Sequence, residues 1–168
     1  MRRYAIYLLL SFPVLYTSCK TFGGCKDEDL DISRRNYTGN ELRMEGYYVS
    51  KPSYSYNGTA TYNAELFFRN GTIYYTGVTG SLDSFEKELA NKTRQVHDGK
   101  SSWGTFFISK DTLKASCWVA KLCGFPSVEW QGRIINDSTW VSGVANADTM
   151  YFRPLSSKPD STNKYIPL

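Results

Sequence analysis

The pattern of apolar and polar positions changes twice along the chain, and each change marks a different kind of segment. Residues 1–19 read MRRYAIYLLLSFPVLYTSC: two arginines, a largely apolar stretch from Tyr4 to Tyr16, then small polar residues before Cys19. A basic start followed by an apolar run of this length predicts a secretory signal peptide over residues 1–18. The run is shorter than the roughly 20 apolar residues of a transmembrane helix, and Pro13 interrupts it. Residues 19–40 are mostly polar, with Lys26-Asp27-Glu28-Asp29 among them, and read as a solvated tether.

From about Glu41 the period shortens to short β-rich runs separated by turn signals. The runs are Leu42–Ser50, Asn63–Arg69, Thr72–Thr79, Trp103–Ser109, Thr112–Val119, Val128–Ile135, Ser138–Val144 and Thr149–Leu155. Asn70-Gly71, Lys110-Asp111 and Asn136-Asp137 each join two runs, and the first pair suits a type I′ hairpin turn. The reading is an all-β domain over residues 41–168, an eight-stranded up-and-down antiparallel meander barrel. One insertion breaks the rhythm, Gly80 to Ser102, where Leu82, Phe85, Leu89 and Val96 recur at helical spacing. It predicts a short amphipathic helix between the third and fourth strands, lying on the barrel or over its mouth.

Alternation assigns the strand faces. Leu66, Phe68, Ile73, Tyr75, Phe106, Ile108, Leu113, Ala115, Cys117, Trp130, Ile134, Val141, Met150 and Phe152 are expected inside. Glu65, Arg69, Lys114, Glu129, Arg133 and Arg153 are expected outside.

Composition narrows the function classes. The 168 residues are 41% hydrophobic and 15% aromatic, which suits one globular domain. Of the 20 basic residues Arg2 and Arg3 belong to the signal segment; the remaining 18 nearly balance 16 acidic ones, so no polyanionic partner such as nucleic acid is expected. The single histidine, His97, reads as an exposed residue at the end of the insertion. One histidine and scattered cysteines supply neither a catalytic triad nor a zinc site, and no cofactor motif occurs. Paired carboxylates keep a hydrolase as a remote reading only.

Two resemblances add to this. Tyr16-Thr17-Ser18-Cys19 resembles a lipobox, with Tyr16 where an aliphatic residue is usual. It implies that Cys19 is diacylated and becomes the N-terminus, and two acyl chains anchor stably where one would not. The protein would then be an exported lipoprotein of a bacterial membrane, the outer membrane first, facing the periplasm or the surface. The plainer alternative is a cleaved secretory signal with Cys19 an ordinary cysteine. Met44-x-Gly46-x-Tyr48 resembles the Gly-x-Trp signature of lipocalins, with Tyr for Trp. Phe152-x-Pro154 and Lys158-Pro159-Asp160-Ser161-Thr162-Asn163 look like the ending of small lipocalin-like lipoproteins from gut anaerobes. The resemblance implies a calycin-type barrel, either filled by its own side chains or holding one small ligand.

An oxidising destination permits disulfides. Cys117 with Cys123, Cys25 with Cys123, and a reduced buried Cys117 are the readings left open. Two functions remain in view. One is a binding module that takes a small apolar or aromatic ligand in the barrel, lined by Tyr48, Phe68, Tyr75, Phe106 and Trp130. The other is a surface protein that meets a protein or glycan through loops and outward aromatics, including the tyrosine-rich loop Tyr54–Tyr62 and Tyr47, Tyr74, Trp118 and Trp140.

Overall fold

The structure, a computed structural model, describes residues 26–90, 99–143 and 148–167. The signal segment, Cys19, Cys25, Val96 and His97 lie outside the described residues. Strands β1 (Gly46–Val49), β2 (Ser53–Tyr54), β3 (Ala60–Phe67) and β4 (Thr72–Thr79) are followed by helix α1 (Leu82–Ala90). After it come β5 (Trp103–Ser109), β6 (Thr112–Trp118), β7 (Ser127–Asn136), β8 (Thr139–Ser142) and β9 (Thr149–Pro154).

Every pairing is antiparallel, in the order β1-β9-β8-β7-β6-β5-β4-β3. The sheet closes because β3 also pairs with β1, placing Tyr48 opposite Glu65 and Val49 opposite Ala64. The result is a closed eight-stranded meander barrel with the helix between its third and fourth staves, as the run spacing predicts. β2 adds only a two-residue flap on the start of β3.

The first hairpin turn differs in detail from the expected type I′. Gly71 takes a φ of 82°, but Asn70 stays out of the positive region, where a type I′ turn needs both residues. The Gly71 amide donates to the Phe68 carbonyl (2.9 Å) and the Phe68 amide to that of Thr72 (2.9 Å). This is the three-residue loop with a glycine in the left-handed position. Gly71 is also held by a close approach: a Cβ there would lie 1.9 Å from the Arg35 carbonyl oxygen.

That contact belongs to a segment the polarity pattern assigned to the tether. From Lys26 onward the chain is bound to the barrel. The Trp118 indole donates to the Glu28 carbonyl (2.7 Å), the Asp31 amide to Ser116 Oγ (3.1 Å) and the Tyr37 amide to the Arg69 carbonyl (2.8 Å). The Thr105 hydroxyl donates to the Ile32 carbonyl, and Ile32 is buried. The strap both covers polar side chains on the outer wall, Thr105 and Ser116 among them, and supplies hydrogen-bond partners to them.

The apolar residues form two separate clusters, one on each face of the sheet. Inside, Leu42, Met44, Tyr48, Phe67, Ile73, Phe106 and Leu113 fill the end of the barrel where the hairpin turns lie, and Trp140 packs against them from the middle of the barrel. Phe67 meets Phe106 and Tyr48 edge-on, with centroids 5.0 and 5.6 Å apart, the geometry that adds about 1 kcal/mol per pair beyond area. Outside, Tyr47, Leu66, Phe68, Tyr74, Trp103 and Trp118 are covered by α1, the strap and the C-terminal tail, which contributes Ile166. The helix lies on the outer wall rather than over the mouth. Phe85 packs edge-on against Tyr47 (5.3 Å), and Glu86 Oε1 accepts from both the Tyr47 hydroxyl and Arg153 Nε at 2.8 Å.

This double burial corrects the phase of β3. Leu66 and Phe68 were expected inside and face outward; Glu65 was expected outside and faces inward, opposite Tyr75. A strand buried on both faces loses the hydrophobic-polar alternation that sets phase. On β8 the inward aromatic is Trp140, not its neighbour Val141.

Candidate functional site

The end of the barrel away from the hairpin turns is hollow. A cavity of about 580 Å³ opens there, within the range of small-molecule sites. Tyr75 from β4, Trp130 from β7, Trp140 from β8 and Met150 from β9 supply its apolar surface. Trp130 and Trp140 stack at 5.3 Å with their planes 14° apart, and Tyr75 meets Trp130 edge-on at 6.2 Å. The register brings them together: Ala115 pairs with Trp130, Ile134 with Trp140 and Glu65 with Tyr75, all on the inward face.

Polar groups converge on the same space. Glu65 Oε2 is sealed from solvent and has no hydrogen-bond partner among the described residues. Burial alone pushes its carboxyl up to about 8, because nothing nearby stabilises the charge. The Tyr75 hydroxyl has the Trp130 indole and the Cys117 thiol beside it but makes no hydrogen bond of normal geometry. Burial raises both Tyr75 and Cys117 above their ordinary values. Glycine at 104 leaves room for the phenol: a Cβ there would stand 3.0 Å from the Tyr75 oxygen. The Trp140 indole nitrogen is likewise buried and without a partner among the described residues. Buried polar atoms are normally satisfied, so three such groups around one space is a departure with a local cause.

Of the five aromatic residues expected to line a ligand site, Tyr75 and Trp130 do so. Tyr48 and Phe106 point inward but belong to the filled end. The Tyr48 hydroxyl there donates to the Asp137 carbonyl (2.6 Å). Phe68 is on the outer wall, stacked on Trp103 at 5.9 Å, and has no part in the cavity. Glu65 and Trp140 are lining residues that alternation missed, and Met150, which alternation placed inside, was not counted among the ligand-lining candidates. The signal available was the pairing itself: once Tyr75 is placed inside, the residue opposite it must also be inside.

The cysteines separate. Cys117 is a free thiol and Cys123 is disulfide-bonded, so a Cys117–Cys123 bridge does not form. Their strand and loop positions diverge because Cys117 faces inward near the end of β6, opposite Val128. A thiol raised by burial is a poor nucleophile. Among the described residues no group of three His, Cys, Asp or Glu side chains stands close enough to hold a metal.

The outward aromatics proposed for a surface partner are not exposed. Tyr47, Tyr74 and Trp118 are buried beneath covering elements, and Trp140 is inside the barrel. Tyr54, on the flap beside the start of β3, and Tyr56, in the turn after it, are exposed.

No family profile matches the chain, and no curated protein or solved structure is significantly similar to it. The class is therefore defined by architecture alone: a closed eight-stranded antiparallel barrel, compatible with a lipocalin-like fold and with ligand binding.

Proposed function

We propose that this chain is an exported, lipid-anchored member of the lipocalin-like barrels that takes a small apolar or aromatic ligand at the open end. One observation supports the binding reading above the rest. The barrel interior is packed tight at one end and left open at the other, where unpaired polar groups meet stacked indoles. Interiors are close-packed when nothing else must fit, so a hollow with convergent polar groups suits an occupant.

The anchor rests on the N-terminal pattern: Arg2, Arg3, the apolar stretch and Cys19. Lys26 lies against Gly124 in the β6–β7 connection, at the same end as the mouth. Native mass spectrometry of the protein purified from its membrane tests both parts. The expected product starts at Cys19 with a diacylglyceryl group and releases a small molecule on denaturation. A product with an unmodified Cys19, or with residues 1–18 retained, rejects the anchor. A second reading, docking of a protein or glycan at the mouth, is favoured only by the exposure of Tyr54 and Tyr56.

A further inference from the structure

We infer that the ligand is a cation, a small apolar or aromatic amine whose protonated nitrogen pairs with Glu65 while its body lies against Tyr75, Trp130 and Trp140. The inference rests on the cavity reading above and specifies its chemistry.

Charge is the first support. Among the described lining residues there are two carboxyls, Glu65 within and Asp148 at the mouth, and no lysine or arginine. Among the described lining residues an ionised Glu65 and Asp148 would oppose an anionic ligand, and none is a cation that could pair with it. Satisfaction is the second. Glu65 Oε2 has no hydrogen-bond partner among the described residues, although ionised or buried carboxyls in proteins are nearly always partnered. A ligand ammonium would donate to the unpaired oxygen and neutralise the charge. The third is the wall. Three aromatic rings line the cavity, and ring faces attract cations, most strongly when desolvated. A protonated Glu65 donating to a ligand carbonyl would answer only one of the three.

The groups facing Glu65 leave it the titrating member of the site. Tyr48 from β1 and Tyr75 from β4 stand opposite it, and Cys117 approaches from β6. Burial raises all three above their ordinary values, so they stay neutral between pH 6 and 8. Asp148 is exposed at the rim. Pairing with an ammonium requires Glu65 to lose its proton, so amine binding below pH 8 releases about one proton and weakens as pH falls.

Calorimetric titration with a matched set decides the matter: 2-(1-naphthyl)ethylamine, 2-(1-naphthyl)ethanol and 1-naphthylacetate. At pH 8 the amine is expected to bind at least tenfold more tightly than the alcohol, and the acetate least of all. Glu65→Gln should erase the amine's advantage over the alcohol; Glu65→Asp, which keeps the charge, should retain part of it. In the unmutated protein the amine should lose roughly tenfold per pH unit below pH 8, with proton release seen as a dependence on buffer ionisation heat. Equal binding of amine and alcohol overturns the amine inference and leaves the cavity reading standing. So does preferred binding of the acetate, which would assign a protonated Glu65 as donor. Failure of all three to bind overturns the cavity reading as well.

Discussion

Glu65 and Tyr75 stand directly opposite each other across the β3–β4 ladder, and each turns into the cavity a polar atom that has no hydrogen-bond partner among the described residues. Such a pair destabilises the empty barrel, and the effect depends on pH. The Glu65 carboxyl titrates near 8 in the fold against an ordinary value of 4.5. The folded state therefore holds a proton that the unfolded chain releases, and stability falls as pH rises from about 4.5 to 8. Glu65→Gln removes this dependence. Melting curves should show the variant close to the parent at pH 5 and more stable at pH 8, by up to about 4 kcal/mol. A parent protein whose stability is flat or rising between pH 5 and 8 would falsify the buried, unpaired state of Glu65.

Phe68 and Trp130 separate folding from binding. Phe68 is buried on the outer wall against Trp103, with Lys158 Nζ 4.5 Å from its ring. Phe68→Ala should cost about 3–5 kcal/mol of stability and leave the affinity of the folded protein for the naphthyl probes unchanged. Trp130 is only partly buried and lines the cavity. Trp130→Ala should weaken probe binding by tenfold or more and cost less stability than Phe68→Ala. Chemical denaturation and calorimetry on both variants check the contrast, and the reverse assignment would put the ligand face on the wrong side of β3.

The strap makes its own prediction. Thr105 is buried, and its hydroxyl meets only the Ile32 carbonyl among the described contacts of that hydroxyl. Thr105→Val should destabilise by about 1–3 kcal/mol through the unpaired carbonyl. Removing residues 26–36 should do more, since it uncovers Ser116 and Trp118 as well. Increased binding of a hydrophobic dye to the truncated protein is the expected sign. A truncation that melts like the parent would return this segment to the role of a loose tether.

Cysteine pairing follows from the same segment. Cys123 is disulfide-bonded and Cys117 is free. Lys26 packs on Gly124, and Cys25 precedes it by one residue, so peptide mapping of the oxidised protein should link Cys25 to Cys123. Cys117 should resist alkylation until the barrel is unfolded, because it faces the interior and burial raises its thiol. A Cys117-containing disulfide peptide would contradict this.

Much of the architecture was legible in the sequence because it depends on local signals. Turn pairs such as Asn70-Gly71 and Lys110-Asp111 fix hairpins, hairpins in series fix a meander, and Leu82, Phe85 and Leu89 mark a helix at its spacing. The candidate site was half legible. Tyr75 and Trp130 follow the inward phase that alternation assigned to their strands, and they were placed in the interior. Phe68 and Glu65 were exchanged because α1 and the tail bury the outer face of β3, and a strand with two apolar faces carries no phase. The covering itself was illegible: Glu28 and Asp31 are polar residues of a polar segment, yet their backbones bond Trp118 and Ser116 from some 85 residues or more away. No local pattern records so distant a partner.

The four tryptophans report on the central claim, since two line the cavity and two lie on the outer wall. Indole N–H resonances followed by NMR during titration with 2-(1-naphthyl)ethanol should move for Trp130 and Trp140 and stay fixed for Trp103 and Trp118. Shifts confined to Trp103 and Trp118, or no shift at any of the four at saturating probe, would contradict a ligand-binding interior.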